Sequence, residues 1–334
     1  MSEEKLKEKI QSANLASYPR QSRIHPLPSF GKKVFVKRED ELGFGISGSK
    51  IRKYSSLIPY LIAEKADEVI VCGGNYSNHI LGMSQLLREN KIRPVLFLIG
   101  EPPQKIVGNF LLTSLIVPLS DMHWISRDRW SQVEMITAEY VQKRAQENVK
   151  SLYIPMGGSC SASIAGLMTL TLDILRNEKE MHVQFDHLFI DAGTGMTAAV
   201  LVLALAWLHR SAHVHIIHLT SKEEDFAALL NRMQKEFEAF IGESLSFSLS
   251  FTLYQPENGR AFGSVNQKVL RQIAEMAREE GILTDPIYTA KLFAEGRAIM
   301  EKKKLDGNVL FIHSGGGLSL MGYQDELLAT LEDG

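Results

Sequence analysis

The feature that most constrains the fold is a regular alternation of short apolar runs with longer segments of helical periodicity. The apolar runs are rich in Val, Ile and Phe, which is typical of buried strands. They lie at 34–38, 68–73, 94–100, 123–126, 151–155, 187–193, 214–219, 247–254 and 308–313. Segments with helical spacing lie at 79–90, 131–147, 162–176, 196–209, 222–241, 265–280 and 289–304. This order predicts an α/β fold in which helices cover both faces of a mainly parallel sheet. Ligands of such sheets bind beyond the carboxyl ends of the strands.

The length and composition limit the classes of protein to consider. A chain of 334 residues exceeds one ordinary core and predicts two domains. No linker separates two halves, so we expect the chain to cross between domains more than once. With 45% hydrophobic residues and a net charge of -2, neither disorder nor binding to nucleic acid or membranes is expected.

The sequence also bears on the cellular compartment of the protein and on insertion into a membrane. The longest apolar run, Ala198 to Leu208, is shorter than the roughly 20 residues that cross a bilayer. The N-terminus is charged and has no signal-peptide pattern. The two cysteines, Cys72 and Cys160, favour a reducing compartment. A cytoplasmic location is therefore expected.

The first segment whose residues could take part in a reaction is SGSKIRKY at 47–54. Lys50 stands close to Arg52 and Lys53. Repulsion between cations and burial both lower the pKa of a lysine, and a neutral amine can attack an aldehyde. Lys50 is therefore a candidate for a Schiff-base lysine. The alternative is the solvated start of a basic helix.

The second segment is CGGNYSNHI at 72–80, which follows a predicted strand and opens a predicted helix. Gly73 and Gly74 allow a tight turn, and Ser77 and Asn78 stand at the helix N-terminus. Free N–H groups there favour an anion such as a carboxylate. The alternative is an ordinary helix cap by Ser or Asn.

The third segment is DAGTGMTAAV at 191–200, where a strand runs through a glycine-threonine turn into a helix. Its small residues leave backbone N–H groups free for a phosphate, and Thr194 and Thr197 add hydroxyls. It is not a Walker A loop, and Ala198 stands where a dinucleotide fingerprint needs its last glycine. The alternative is a packing turn.

The fourth segment is FIHSGGGLSLMGY at 311–323. A buried strand ends at His313 and Ser314 and is followed by glycines, which allow close approach to a flat ligand. The alternative is a flexible glycine loop. No metal site is predicted, because His213, His215 and His218 have no nearby carboxylate or cysteine to complete a ligand set.

In this order the segments resemble a family of enzymes that use pyridoxal 5′-phosphate (PLP). It includes D-cysteine desulfhydrase and 1-aminocyclopropane-1-carboxylate (ACC) deaminase, within the tryptophan synthase β-like superfamily. The resemblance runs from about Arg23 to Tyr323. It covers HPLPSF at 25–30, VFVKRED at 34–40, GSKIRK at 48–53, GGNYSNH at 73–79, IPMGGS at 154–159, DAGTG at 191–195, LTDPIYTAK at 283–291 and HSGGG at 313–317.

The resemblance implies an architecture and an assembly. The fold would have two domains, each an open twisted sheet that is mainly parallel and flanked by helices. A large PLP-binding domain would comprise 1–52 and 166–334, and a small inserted domain would comprise 53–165. The usual assembly of the family implies a homodimer.

The resemblance also implies roles for individual residues. Lys50 would hold PLP as a Schiff base and carry the α-proton of a small amino-acid substrate. The phosphate would be bound by Lys53 and by Gly193, Thr194, Gly195, Met196 and Thr197. Asn78 would hold the pyridine 3′-oxygen, and Ser314 would face the pyridine nitrogen. The substrate would be bound by Ser77, Asn78, His79, Phe262 and Tyr288, with Ser77 and Tyr288 as further catalytic residues.

The chain departs from the family pattern at four positions. Ser49 precedes the lysine where Asn is usual, and Phe262 stands where the family has tyrosine. Thr289 replaces the Glu of ACC deaminases, and Ser314 replaces their Leu. A carboxylate near the pyridine nitrogen keeps it protonated, whereas a hydroxyl is neutral. Without that carboxylate, the cofactor would withdraw electrons from the substrate less strongly. It would still support loss of a good leaving group such as sulfide from the substrate.

These departures favour α,β-elimination of D-cysteine, or a similar small D-amino acid, to pyruvate, ammonia and sulfide. ACC deamination is the first alternative, and β-replacement or racemisation on the same cofactor is another. Phe262 and Ser49 keep open a non-catalytic PLP-binding protein. A nucleotide-binding oxidoreductase is the remaining alternative, and the imperfect glycine spacing at 193–198 speaks against it.

Overall fold

A computed structural model describes residues 3–46, 48–219, 223–245, 248–257 and 263–332. Its strands are β1 Ile24–Pro26, β2 Val34–Lys37, β3 Glu68–Gly73, β4 Arg93–Ile99, β5 Met122–Ile125, β6 Ser151–Ile154, β7 His187–Ala192, β8 His213–His218, β9 Phe251–Tyr254 and β10 Val309–Ile312. Its helices are α1 Glu3–Ser12, α2 Lys50–Ala63, α3 Asn78–Glu89, α4 Gly108–Ile116, α5 Val133–Gln146, α6 Ile164–Met181, α7 Met196–Trp207, α8 Glu223–Ile241, α9 Gln267–Glu280, α10 Thr289–Lys303 and α11 Gln324–Glu332.

The strands form two sheets. The larger sheet has the order β1-β2-β10-β7-β8-β9 and is parallel except for β1, which runs antiparallel to β2. The smaller sheet has the order β5-β4-β3-β6 and is entirely parallel. The predicted α/β fold with two mainly parallel sheets is therefore confirmed. The domain boundaries at 52/53 and 165/166 stay a prediction.

Most predicted elements are present, and the differences have local causes. Strand β1 was not predicted, because it is short and contains Pro26, which edge strands tolerate. Helix α2 was not predicted either, although Ile51, Tyr54, Leu57, Ile58 and Leu61 recur at helical spacing and pack in one core cluster. The helix contains Pro59, which is unfavourable in a helix interior. The strand expected at 247–254 is shorter, and only its last part, Phe251–Tyr254, pairs with β8. Helices α1, α4 and α11 were also missed.

The register of the large sheet brings two of the predicted segments together. Strands β7 and β10 are parallel neighbours, and Ile190 lies opposite Ile312. Asp191 and Ser314 therefore reach the same carboxyl edge of the sheet, one from each strand. Helix α7 follows β7 after the turn 193–195 and is buried except at Thr197, as the apolar run Ala198 to Leu208 predicts.

A buried ionic cluster anchors the start of helix α2. The Arg52 guanidinium donates to Glu39 Oε1 at 2.7 Å and to Asp173 Oδ2 at 2.8 Å. Lys37 Nζ donates to the same Asp173 oxygen at 2.6 Å. All four side chains are almost fully excluded from solvent. Because buried charges are costly unless paired, this cluster fixes α2 relative to α6 and β2.

Candidate active site

The turn before Lys50 packs against the glycine loop after β10. The Ser49 N–H donates to the Ser314 carbonyl oxygen at 2.9 Å. Gly48 has a φ of +51°, and a Cβ at this position would overlap that same oxygen. Only glycine fits such a close approach with positive φ. Lys50 therefore begins α2 at the carboxyl edge of β10, next to Ser314.

Burial and two carboxylates set the electrostatics of Lys50. Burial lowers the pKa of the Lys50 amine below its ordinary value, while the nearby Asp191 and Asp285 raise it to a smaller degree. The predicted repulsion by Arg52 is wrong, because Arg52 faces away into its ionic cluster. The alternative of a solvated basic helix start is also wrong, since Arg52 and Lys53 are buried.

The aromatic ring of Tyr288 faces Lys50. Lys50 Nζ lies 5.7 Å from the centroid of the Tyr288 ring. The same ring covers Gly193, where a Cβ would come within 3.1 Å of Tyr288 Cε1. Burial raises the pKa of the Tyr288 hydroxyl, and the charges of Asp285 and Asp191 raise it further. Tyr288 therefore joins the amine of Lys50 to the glycine-threonine turn after β7.

The glycine-threonine turn contacts a second glycine turn in the segment 157–159. The Ser159 hydroxyl donates to Thr194 Oγ1 at 3.0 Å. Gly157 has a φ of +67°, and its absent Cβ would lie 2.8 Å from Thr194. Lys53 Nζ donates to the Gly157 carbonyl oxygen at 2.6 Å. Two turns that are far apart in the sequence thus meet beside one amine.

Burial lowers the pKa of Lys53 to about 7, and repulsion from Lys50 adds to this effect. An anion bound next to Lys53 would restore its positive charge, because an opposite charge favours the protonated amine. Gly195 has a φ of +85° and caps α7, and Met196 is buried in the core. Met196 and the half-buried Thr197 start a helix whose first N–H groups have no partner within the helix. This combination suits a phosphate.

Asn78 is held in one orientation by Asn109, a residue that no sequence motif singles out. Asn109 Nδ2 donates to Asn78 Oδ1 at 2.6 Å and to the Tyr76 carbonyl oxygen at 3.1 Å. The Asn78 amide nitrogen therefore remains as a donor, and a Cβ on Gly316 would lie 2.8 Å from it. Asn109 lies in α4, a helix without a motif.

Ser77 and His79 occupy the N-terminus of α3. Ser77 Oγ accepts the N–H of His79 at 3.1 Å and that of Ile80 at 3.5 Å, so the ordinary capping interaction is present. The His79 ring is buried and shares a hydrogen bond of 2.9 Å between Nδ1 and the Tyr54 hydroxyl. Burial lowers the pKa of His79, and Lys53 and Lys50 lower it further.

Asp191 is a further site residue that sequence reasoning missed. Its carboxyl group interacts with the Ser314 hydroxyl and lies near Lys50 and Asp285. Burial raises the pKa of Asp191 to about 6, although the Ser314 hydrogen bond opposes this effect. A carboxyl group thus lies near Lys50, in addition to the hydroxyls of Thr289 and Ser314 that the sequence argument weighed. The signal was an acidic residue near the end of a buried strand, just before a glycine turn.

Thr289 and His313 form hydrogen bonds within the loops around the site. The Thr289 hydroxyl donates to Asp285 Oδ1 at 2.8 Å and accepts the Asp285 N–H at 2.7 Å. His313 Nε2 lies 3.1 Å from the Leu283 carbonyl oxygen, and His313 Nδ1 accepts the N–H of Gly315 at 3.2 Å. The alternative of a flexible glycine loop after β10 is not supported by these contacts.

Three further predictions concern Phe262, metal binding and membrane insertion. Phe262, predicted to line the substrate pocket, lies outside the described residues. Among the residues that the structure describes, no group of three His, Cys, Asp or Glu side chains is arranged to hold a metal ion. No helix in the described ranges is long and apolar enough to cross a membrane.

The chain is similar to known proteins over most of its length. The family of pyridoxal-phosphate dependent enzymes matches residues 15–315 of the chain. The chain belongs to this family. The resemblance predicted from the sequence is confirmed, and the enzyme uses PLP as its cofactor.

Individual relatives agree with the family. The enzyme is 29% identical to a putative ACC deaminase of Pyrococcus furiosus, over 97% of this chain and 99% of the relative. It is 26% identical to a D-cysteine desulfhydrase of Yersinia enterocolitica, over 89% and 90% of the two chains. A crystal structure of an ACC deaminase homologue superposes with a TM-score of 0.85 and 27% identity, over 98% and 99%. These similarities establish a PLP-dependent enzyme of the lyase and deaminase group.

The described residues fit PLP. Lys50 offers an amine of lowered pKa for the aldehyde, and the start of α7 with Lys53 offers donors for the phosphate. The Asn78 amide offers a donor for the 3′-oxygen. Oδ1 of Asp191 is buried and has no hydrogen-bond partner within the described residues, which is unusual for a carboxylate and marks a place for a ligand donor.

Proposed function

We propose that the enzyme catalyses α,β-elimination of D-cysteine, with water, to pyruvate, ammonia and hydrogen sulfide. The observation that carries the proposal is the convergence of Lys50, Tyr288 and the 193–197 turn at one sheet edge. The desulfhydrase relative supports the choice of D-cysteine. Thr289, which stands where ACC deaminases have Glu, bonds Asp285 and is buried, so this position adds no carboxylate to the site.

Lys50 is the proposed base. PLP supplies an electron sink for the negative charge that develops at the α-carbon of the substrate. Lys50 Nζ removes the α-proton, which requires a neutral amine, and burial favours that form by lowering the pKa of Lys50. Lys50 then holds this proton beside the Tyr288 ring, where it can return to the departing group.

The remaining residues would bind and orient the cofactor and the substrate. Lys53 and the turn of Gly193, Thr194, Gly195, Met196 and Thr197 would bind the phosphate, and Asn78, oriented by Asn109, would bind the 3′-oxygen. Ser77 and His79 at the start of α3 would receive the substrate carboxylate, with the Ser77 hydroxyl leaving its capping position. The half-buried ring of Tyr288, whose centroid lies 5.7 Å from Lys50 Nζ, would exclude water from one side of Lys50.

ACC deamination is a second candidate, and one observation favours it. The Asp191 carboxyl supplies an acidic group near Lys50, in addition to the hydroxyls of Thr289 and Ser314 on which the sequence argument rested. An acidic partner at the pyridine nitrogen would deepen the electron sink, which opening of a cyclopropane requires. The putative ACC deaminase of Pyrococcus furiosus is consistent with this candidate.

A substrate panel tests both proposals. Purified enzyme with PLP is incubated with D-cysteine, L-cysteine and ACC, and sulfide, pyruvate, 2-oxobutanoate and ammonia are measured. We expect equal amounts of sulfide and pyruvate from D-cysteine, and no turnover by Lys50→Ala. Lys150→Ala removes a surface lysine outside the site and serves as the control. Turnover of ACC without turnover of D-cysteine would replace the first proposal by the second.

We also propose that the enzyme is a homodimer, and that residues 53–165 form a small domain inserted into the larger one. The small parallel sheet is built from strands between Glu68 and Ile154, which supports this division. Light scattering of the purified enzyme tests the assembly. A monomer at micromolar concentration would exclude the dimer.

A further inference from the structure

We propose that the groove between helix α1, the segment 18–21 and helix α6 binds a small organic carboxylate with an apolar body, which Arg20 anchors. None of the residues that line this groove belongs to the candidate active site. The proposal therefore goes beyond the proposed function and depends neither on the cofactor nor on the substrate of the enzyme. We call this region the Arg20 groove.

The Arg20 groove has the size and the lining of a small-molecule site. Its volume is about 890 Å³, and such sites usually measure about 300–1,000 Å³. Part of its surface is apolar and part carries charged groups. The lining residues are Glu3, Lys7, Ile10, Gln11, Tyr18, Pro19, Arg20, Gln21, Thr169, Leu172, Asp173, Arg176, Lys179 and Glu180.

The charges that line the groove leave Arg20 uncompensated. Lys179 Nζ and Lys7 Nζ lie 2.6 Å and 2.8 Å from the two carboxylate oxygens of Glu3. Arg176 forms an ion pair of 2.8 Å with Asp173. Arg20 has no ion pair with any carboxylate in the part of the chain that the structure describes. Four cations and three carboxylates line the groove, so one positive charge is in excess.

The hydrogen bonds of Arg20 leave one edge of its guanidinium open. Nη1 donates to the Ala16 carbonyl oxygen at 2.8 Å, whereas Nε and Nη2 have no partner among the described residues. Six other arginines bind a carboxylate through this same pair of atoms, Nε and Nη2. They are Arg23, Arg38, Arg52, Arg93, Arg144 and Arg176. The open edge of Arg20 therefore has the geometry of a carboxylate site that lacks its carboxylate.

The excess charge selects a carboxylate over a phosphate. A guanidinium fork fits the oxygens of either group. A phosphate monoester carries close to two negative charges at neutral pH, whereas a carboxylate carries one. The groove has one positive charge in excess, so a carboxylate neutralises it without leaving negative charge beside Glu3 and Asp173.

The surroundings of Arg20 make its open edge unfavourable without a ligand. The side chain is half-buried, and burial lowers the pKa of the Arg20 guanidinium. The positive charge of Arg52 lowers this pKa further, and no acidic group opposes the effect within the described ranges. An opposite charge favours the charged form of a group. A bound carboxylate would therefore offset both the burial and the repulsion.

The apolar wall beside Arg20 requires an apolar body in the ligand. Ile10 of α1, Leu172 of α6 and Pro19 between them line the groove. The Tyr18 hydroxyl accepts a hydrogen bond of 3.3 Å from Asn90 Nδ2, which holds the tyrosine ring in place. Apolar surface of the ligand that leaves water at this wall adds to the affinity in proportion to its area.

The floor of the groove is fixed before a ligand binds. Thr169 and Asp173 line the groove, and both accept hydrogen bonds from Arg52, at 3.1 Å and 2.8 Å. Asp173 also accepts from Lys37 Nζ at 2.6 Å. A site whose side chains are already ordered costs less conformational entropy to occupy.

Isothermal titration calorimetry of the holoenzyme with 4-phenylbutanoate tests the proposal. This probe joins one carboxylate to an apolar body, and 4-phenylbutanamide is its neutral analogue. We expect one saturable site per chain for the acid. The amide should bind at least about tenfold more weakly, because it cannot form a charge-assisted pair with Arg20.

Variants of two neighbouring arginines locate the bound probe. Arg20→Gln should weaken binding of the acid at least about tenfold, and Arg20→Lys should weaken it less, because it keeps the charge and loses the fork. Arg23→Gln is the matched control and should bind as the wild type does, because Arg23 pairs with Glu41 outside the groove. The PLP absorbance and circular dichroism of each variant confirm that it is folded.

Three results would overturn the proposal. The first is the absence of saturable binding to the wild type, which is also the result expected if a second copy of the chain covers the groove. The second is equal affinity for the acid and the amide. The third is wild-type affinity in folded Arg20→Gln, which would place the probe elsewhere, including at the candidate active site. None of these results bears on the attachment of PLP to Lys50.

Discussion

The Asp191→Asn variant should be more stable than the wild-type protein when no cofactor is bound. Burial raises the pKa of Asp191 from its ordinary 3.8 to about 6. Each pKa unit corresponds to about 1.4 kcal/mol, so the folded state loses about 3 kcal/mol of stability when this group ionises. Because the folded pKa exceeds the unfolded one, the loss develops as the pH rises between these two values. Asn is neutral and nearly isosteric, and it avoids the loss.

Urea unfolding of the cofactor-free proteins at two pH values measures this effect. At about pH 8 the free energy of unfolding of Asp191→Asn should exceed that of the wild type by about 3 kcal/mol. At about pH 4 the two proteins should be nearly equal, because Asp191 is protonated in the folded state. A variant that is less stable at pH 8, or a difference that does not depend on pH, would refute the electrostatic reasoning.

Two further predictions concern the turn that meets Thr194 and the ionic cluster under α2. Gly157→Ala should weaken PLP binding about tenfold in a fluorescence titration, because its Cβ would lie 2.8 Å from Thr194 and displace the phosphate turn. Gly281→Ala has a similar positive φ with no atom within 4 Å, so equal weakening by both variants would contradict the steric cause. Arg52→Met should lower the free energy of unfolding by about 3–5 kcal/mol, because it leaves Glu39 buried without its nearest cation. An unchanged free energy of unfolding in urea would contradict this explanation.

Strands were the part of the fold that the sequence predicted best. The run EVIVCG matches β3 residue for residue, because a buried parallel strand needs apolar residues on both faces and therefore forms a continuous run. Helix α2 was not predicted, although Ile51, Tyr54, Leu57, Ile58 and Leu61 form an apolar face that packs in one core cluster. Local propensity opposes this helix because it contains Pro59, and tertiary packing overrides that propensity.

The sequence predicted only those site residues that belong to a local motif. Lys50, Asn78 and the 193–197 turn belong to local patterns, and the structure brings Lys50 and the turn together through Tyr288. Asn109 acts through Asn78, which is distant in the sequence, and Asp191 lies near Lys50 and Asp285, which belong to other segments. Such contacts arise from sheet register and helix packing, so no local spacing of residues in the sequence indicates them.

The central claim is that PLP is attached through Lys50 next to the 193–197 turn. Reduction of the purified holoenzyme with borohydride fixes the cofactor to its lysine, and peptide mapping by mass spectrometry then locates it. We predict the phosphopyridoxyl group on Lys50 alone, although the buried Lys53 lies only three positions away. Modification of Lys53 or of a surface lysine in place of Lys50 would contradict the account.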